Sequence, residues 1–276
     1  MKFDKNKRMG VMIKILSDHP GRIYTLKFFS ELFGTAKSTV SDDIDEMAEV
    51  FENLGLGCLE TITGASGGVR LRPRLLHSDL VNFLLDLCDR MSSPERVLPG
   101  GFLYRADLLY MPEIAQKIGE ILAFEFEHTK PDFVITVETK GIPVAMMTAR
   151  ALDCPLVIAR RNNEVTEGSS VSINYVSASS NRLQTMSVAR RAVKQGQTGL
   201  IIDDFMRGGG TARGMAELLS EFNIDIAGVG VVITTSVPSE KMVKEYKALI
   251  ELKEASGNAE SSRFSPARWV SERSII

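Results

Sequence analysis

The sequence predicts an α/β chain in two parts: a small helical unit with a β-hairpin, then an open, mostly parallel sheet flanked by helices. Three observations carry this. Apolar residues near the N-terminus recur at helical spacing and give way to two short runs around a glycine-rich tip. From residue 131 onward, strand-like apolar runs alternate with amphipathic helical ones, the order of a parallel sheet. The length, 276 residues, suits two domains better than one or three.

Met9, Met12, Ile13 and Leu16 fall at i, i+3, i+4 and i+7 and predict a helix over 8–17, ended by His19-Pro20-Gly21. Leu26, Phe29, Leu32 and Phe33 mark a short second helix, broken by Gly34. The third, TAKSTVSDDIDEMAEVFENLG, opens on small hydroxyl residues suited to an N-cap. Val40, Ile44, Met47, Phe51 and Leu54 form its apolar stripe, and Gly55 closes it. Two helices joined by a tight turn with a glycine make a helix-turn-helix. GCLETIT and VRLRP around GASGG read as a hairpin, which completes a winged-helix arrangement.

The charges suit DNA. Net charge is −2, so the chain as a whole is no polycation and any nucleic-acid binding needs a local patch. Residues 1–37 hold eight Lys/Arg against three Asp/Glu. Lys37, Ser38, Thr39 and Ser41 open the third helix as donors able to reach base edges and phosphates. Arg70, Arg72 and Arg74 follow the hairpin tip and are placed for phosphates. The six acidic residues from Asp42 to Glu52 are expected to face solvent. A three-helix protein-interaction module would show the same pattern, and this segment alone leaves that alternative open.

The domain boundary is placed at Arg72-Pro73-Arg74, giving domains 1–74 and 75–276. Leu75–Met91 and Met111–Phe126 predict helices, with SSPERVLPGG irregular between them. PDFVITVE, PLVIAR, GLIIDD and IAGVGVVITT predict strands, and KALIEL a last one. GIPVAMMTARALD and TARGMAELLSEF predict the intervening helices. Continuous apolar runs such as Phe133–Val137 and Leu200–Ile202 suit strands buried on both faces. NNEVTEGSSVSINYVSASSNRLQTMSV reads as a long hairpin, a lid over the strand ends.

Ligands of such sheets sit beyond the C-terminal strand ends. Asp203-Asp204 lies at one such end and Glu138-Thr139-Lys140-Gly141 at another. After the diacid come Gly208, Gly209 and Gly210, whose N–H groups can wrap an anion, and Thr211 at a helix N-terminus. This is a phosphate cradle, though neither a Walker A motif nor a dinucleotide fingerprint. Asp203 and Asp204 would repel phosphate; carboxylates suit vicinal sugar hydroxyls or a metal. Together they imply a phosphorylated sugar. Lys140 and Arg207 are cations for further phosphate. Phe102, Tyr104 and Phe205 could stack a purine base or simply pack in the core.

LIIDDFMRGGGT closely resembles the phosphoribosyl-pyrophosphate (PRPP) motif of type I phosphoribosyltransferases. The resemblance implies that Asp203 and Asp204 hold the ribose hydroxyls, Gly208–Thr211 the 5′-phosphate and Glu138–Gly141 the pyrophosphate. Many catalytic members carry Ala-Thr where this chain has Arg207-Gly208, a departure that argues against turnover. With FFSELFGTAKSTVSDD, PERVLPGGFLY, TKGIPVA and VTEGSSVSINYVSASSNRLQTMS, nearly the whole chain resembles the purine operon repressors of Gram-positive bacteria. That family implies a phosphoribosyltransferase-type fold without turnover and a homodimer on palindromic operator DNA upstream of purine genes. It implies PRPP as the releasing effector, with magnesium where PRPP brings it, and guanosine tetraphosphate (ppGpp) as a competing corepressor. A purine phosphoribosyltransferase regulated by its N-terminal domain is the enzymatic alternative.

Cys58, Cys88 and Cys154 form no C-x-x-C pair and cannot all pair with one another, as in a reduced, cytoplasmic protein. MKFDKNKRMG leads into no secretory apolar segment, and no run approaches a membrane span of about 18 apolar residues. No metal site is expected. Trp269, near the C-terminus, is expected to pack on the second domain.

Overall fold

The computed structural model describes residues 3–64, 67–98, 102–161, 168–177, 182–253 and 263–272. The chain divides into two compact units at Leu76/His77, with Arg150–Asp153 counted in the first.

The first unit is built from α1 (Lys5–Asp18), α2 (Leu26–Phe33), α3 (Lys37–Asn53), β1 (Cys58–Ile62) and β2 (Gly68–Arg72). α1 starts a turn earlier than its apolar spacing predicts, because the Asp4 carboxylate accepts the Lys7 N–H at 3.0 Å and caps it. The Thr25 hydroxyl caps α2 by accepting Phe28 N–H, and Gly34, at φ 63°, ends it. α3 departs from expectation: its N-cap is Ala36, which supplies no side-chain cap. β1 and β2 pair antiparallel, with Glu60 opposite Arg70. Met12, Leu16, Phe29, Val40, Met47 and Val69 are closed off from solvent at the centre. The acidic run of α3 is also not uniformly solvated. Asp43 is buried and takes two donors from Arg8 of α1, at 2.7 and 3.0 Å. A buried carboxylate needs such a partner.

The second unit opens with α4 (His77–Met91), β3 (Val97–Leu98), β4 (Phe102–Leu103), α5 (Ala106–Leu109) and α6 (Pro112–Phe126). Then come β5 (Phe133–Val137), α7 (Ile142–Leu152), β6 (Leu156–Ala159), β7 (Ser170–Ser177) and β8 (Arg182–Ala189). β9 (Thr198–Met206), α8 (Gly210–Ser220), β10 (Asp225–Thr235), β11 (Lys247–Lys253), β12 (Arg263–Pro266) and α9 (Arg268–Glu272) complete it. The main sheet has the order β12-β11-β10-β9-β5-β6, parallel throughout except for β12 at its edge. Every residue of β5 is buried, and Leu200, Ile201 and Ile202 of β9 are fully closed off, as continuous apolar runs require.

β7 and β8 form the expected hairpin, but its body is part of the core. Tyr175, Met186 and Val188 pack with Met215 and Leu218 of α8. A bridge between Arg160 and Ser187 ties it to the end of β6. The lid expectation rests chiefly on residues 162–167 and 178–181, which lie outside the described residues. Trp269 packs as expected, its indole N–H donating to the Ala248 carbonyl at 2.6 Å. Cys58, Cys88 and Cys154 form no disulfide with one another.

Candidate functional site

The topology opens a gap where chemistry can sit. β9 pairs with β5 only as far as Ile201–Ile135, while β5 stays paired with β6 to Val137–Ala159. Asp203 and Asp204 lie on β9 just past the last β5 pairing. Both are nearly buried, at 5% and 6% exposure. The Asp204 amide donates to Oδ1 of Asp203 at 2.9 Å. Burial and then the neighbouring Asp204 carboxylate push the Asp203 pKa well above the usual carboxylate range.

The diacid has a partner that sequence spacing does not show. Arg105, at the start of α5, donates Nε and Nη2 to Oδ2 of Asp204, each at 2.7 Å. Its guanidinium lies over the Phe205 ring, 4.7 Å from the centroid. The signal in the sequence was weak: a cation in the mostly apolar stretch GFLYRADLLY, with Asp107 two residues on as an apparent counterion that in the structure pairs with Arg96 instead.

On the other side lies the loop Glu138–Gly141. A Cβ at Gly141 would come within 2.5 Å of the Thr136 hydroxyl and 3.4 Å of Oδ1 of Asp203, so only glycine lets the loop close this far. The Thr136 hydroxyl is buried and has no hydrogen-bond partner among the described residues. The Glu138–Thr139 peptide is cis. Glu138 is engaged locally, accepting Arg161 N–H at 2.6 Å with Arg160 at 3.7 Å. Thr139 and Lys140 are exposed.

The glycine loop is held from behind. Met242 N–H donates to the Gly208 carbonyl at 2.8 Å, and the Lys241 ammonium donates to the Arg207 carbonyl at 2.5 Å. Gly209 sits at φ 83°, the left-handed region that a Cβ disfavours. The amides of Gly208, Gly209, Gly210 and Thr211 make no hydrogen bond among the described residues. They open α8, so orphan donors and the positive end of the helix dipole coincide. Thr211 is half-buried and Arg207 exposed. From the hairpin, the buried Tyr175 phenol donates to Gln184 at 2.7 Å. Burial raises its pKa; Arg161 opposes the shift and Asp203 adds to it, and Thr211 lies within its reach.

The structure thus brings Asp203, Asp204, the glycines, Thr211 and Gly141 together. The aromatics are less uniform. Phe205 carries Arg105, Tyr104 is exposed, and the Phe102 side chain lies outside what the structure describes. No group of three or more His, Cys, Asp or Glu able to hold a metal occurs among the described residues. No described helix is long and apolar enough to cross a membrane.

In the first unit, Lys37 and Ser38 are exposed and Thr39 and Ser41 half-buried at the uncapped start of α3. Arg70 and Arg72 are less available than their position suggests. Arg70 holds Glu60 through Nε and Nη2, each at 2.7 Å, and Arg72 adds a contact at 3.2 Å. Burial would raise the Glu60 pKa, but the two guanidiniums outweigh it and hold the carboxyl below its usual value.

Comparison with known proteins agrees with this division. Residues 4–73 match the bacterial purine repressor N-terminal family, and residues 105–262 the phosphoribosyl transferase domain. The purine biosynthesis transcriptional repressor PurR of Bacillus subtilis is 45% identical over 252 residues, 91% of this chain and 88% of that protein. The purine biosynthesis transcriptional activator PurR of Lactococcus lactis subsp. lactis is 38% identical over 90% of this chain and 92% of its own length. A xanthine phosphoribosyltransferase of Exiguobacterium is 35% identical over 45% of this chain and 65% of its own. Among solved structures, the adenine phosphoribosyltransferase of Thermoanaerobacter pseudethanolicus superposes with a TM-score of 0.53 at 19% identity, covering 62% of this chain and 99% of that one. That likeness shows the fold of the second unit. With this much of its length aligned to such relatives, the chain belongs to the family of bacterial PurR transcriptional regulators of purine biosynthesis, a DNA-binding domain joined to a phosphoribosyltransferase-type domain.

Proposed function

We propose that this regulator is a repressor that binds palindromic operator DNA as a homodimer and is released by PRPP. The observation that carries the effector reading is the pairing of two buried carboxylates with a glycine loop whose amides have no acceptor among the described residues. Carboxylates accept from vicinal sugar hydroxyls; free amides at a helix N-terminus donate to a phosphate. Asp203 and Asp204 take the ribose hydroxyls, Gly208–Thr211 the 5′-phosphate, and Thr139, Lys140 and Gly141 the pyrophosphate. Magnesium accompanies PRPP as its counterion. Guanosine tetraphosphate shares a phosphorylated ribose and competes for the pocket as a corepressor, with Arg207 and the aromatics Phe205, Tyr104 and Phe102 beside it.

Lys37, Ser38, Thr39 and Ser41 contact DNA from α3, and Arg70 and Arg72 from the hairpin. The domain acts as a sensor without turnover, a reading supported by Gly208, which stands where many catalytic members carry a threonine hydroxyl. A PRPP-gated repressor requires the ligand to favour one state of the protein over another. The test is a gel-shift titration on DNA from upstream of purine biosynthetic genes at fixed salt, with and without PRPP and magnesium. Binding that PRPP weakens is expected. Binding indifferent to PRPP would remove PRPP as the effector. Nucleotide formation from PRPP and a purine base would make the domain an enzyme.

A further inference from the structure

We propose that Arg105 is a positioning residue that makes the diacid selective for a vicinal diol. The inference rests on the reading of Asp203 and Asp204 as sugar-binding groups. Three features of the geometry support it. Arg105 directs both Nε and Nη2 to one oxygen, Oδ2 of Asp204, each at 2.7 Å, which leaves Oδ1 outside that contact. Asp203 likewise gives Oδ1 to the Asp204 amide. Each carboxylate is therefore oriented through one oxygen, Oδ2 of Asp204 and Oδ1 of Asp203, and the two carboxyl groups lie within hydrogen-bond reach of each other, as two acceptors for one vicinal diol must.

Second, the pair needs a cation. Two neighbouring carboxylates at 5% and 6% exposure repel each other where water screens poorly. Arg105 is the basic side chain that meets Asp204, and the contact is itself largely enclosed, with 15% and 9% of the two side chains exposed. It sets a guanidinium against the Asp204 carboxyl, and hydrogen bonds in which one partner is ionised are the stronger ones.

Third, Arg105 is itself held in place. Its guanidinium lies over Phe205, the residue after the diacid, and its carbonyl accepts Leu109 N–H at 3.1 Å as α5 begins. Arg96 braces the same segment, donating to the Tyr104 carbonyl at 3.2 Å and pairing with Asp107 at 2.7 and 2.9 Å. The cation is thus presented by a fixed turn, which an orienting role requires.

Calorimetric titration of the full chain with ribose 5-phosphate and with 2-deoxyribose 5-phosphate tests this. The two probes share the phosphate and differ in the diol. The unsubstituted chain should prefer ribose 5-phosphate by about tenfold or more, the worth of a hydrogen bond to a charged group. Arg105→Gln should shrink that ratio to about two, with 2-deoxyribose 5-phosphate affinity kept within about twofold, since the phosphate cradle is untouched. Arg105→Lys, which keeps the charge without the fork, should fall between. If the unsubstituted chain shows no preference, or binds neither probe, the diacid does not read a sugar, and both the sugar-binding reading and the role of Arg105 fall. If it discriminates and Arg105→Gln discriminates equally, only the role of Arg105 falls. A parallel loss of both probes in Arg105→Gln would mean a merely structural contact and would also overturn it. Should Arg105→Gln fail to fold, an unchanged ratio in Arg105→Lys overturns the proposal and an intermediate one supports it.

Discussion

The two units carry their functional charges in opposite ways. At the start of α3, Lys37 and Ser38 stand in solvent, where a charge is stable before any partner arrives. At the end of β9, Asp203 and Asp204 are almost wholly buried side by side, with Asp203 pushed toward its neutral form. A surface that meets polyanionic DNA can hold its cations in water and still gain by counterion release. A pocket of the kind we propose, one that recognises a small sugar, needs acceptors fixed beforehand, away from water, and the fold bears their desolvation. The first unit is therefore expected to fail through its core, and the second through its site.

The largest expected effect tests the first half of that contrast. Phe29 is completely buried among Met12, Phe33 and Val40. Phe29→Ala should cost about 3–5 kcal/mol, enough to unfold much of a small domain. Operator binding should vanish in gel shifts. Calorimetric PRPP binding, which we propose for the other unit, should persist. A variant that still binds operator at full affinity would show that the packing of α2 does not hold the DNA-binding face.

Next comes the site. Asp203→Ala combined with Asp204→Ala removes both proposed sugar acceptors and should lower PRPP affinity by about 100-fold or more. Operator binding should survive, giving a repressor that PRPP no longer releases. If the double variant still releases DNA at ordinary PRPP concentrations, the carboxylates do not hold the sugar.

The same contrast sorts what the sequence could and could not reveal. Spacing rules located α2, α3, the β1–β2 and β7–β8 hairpins and every strand of the parallel core, because each depends on residues close in the chain, but not the short β3–β4 pair in a segment that reads as irregular. The glycine loop and the diacid were legible for the same reason, being consecutive. Arg105 and the Arg8–Asp43 pair were not. Their partners lie 99 and 35 residues away, and a cation looks alike in sequence whether it is solvated or closes a buried pair. The Glu60 contacts with Arg70 and Arg72 escaped for a related reason. They need the strand register, which places Glu60 opposite Arg70.

Proton linkage gives a third and smaller effect, of opposite sign in the two units. The Asp203 pKa is raised in the folded chain, so this group's contribution to stability is full below the ordinary carboxylate value of 3.8 and is lost as pH rises above it. Glu60 is lowered, so its contribution is present above its ordinary value of 4.5 and is lost as pH falls below it. Asp203→Asn should therefore stabilise the ligand-free chain near neutral pH, raising its melting temperature by about 2–4 °C. The advantage should fade as the pH approaches 4, near the ordinary carboxylate value of 3.8. Scanning calorimetry across that range decides the matter; equal melting temperatures at neutral pH would mean that the buried diacid is not destabilising.

The smallest effect sharpens the reading of the DNA-binding face. Lys37 is exposed and opens α3, so Lys37→Ala should reduce operator affinity a few-fold and flatten the dependence of log affinity on log salt by about 0.9, the signature of one lost phosphate contact. Arg70 and Arg72 differ, since each must loosen its hold on Glu60 before it can reach a phosphate. Arg70→Ala should then cost less than Lys37→Ala. Glu60→Gln, which weakens that hold, should tighten operator binding about twofold and steepen the salt slope, as a half-buried ion pair worth about 1 kcal/mol allows. Should Glu60→Gln instead weaken binding, the carboxylate would be orienting the two arginines toward DNA, and the hairpin would be a prearranged contact, held ready as the diacid is by Arg105.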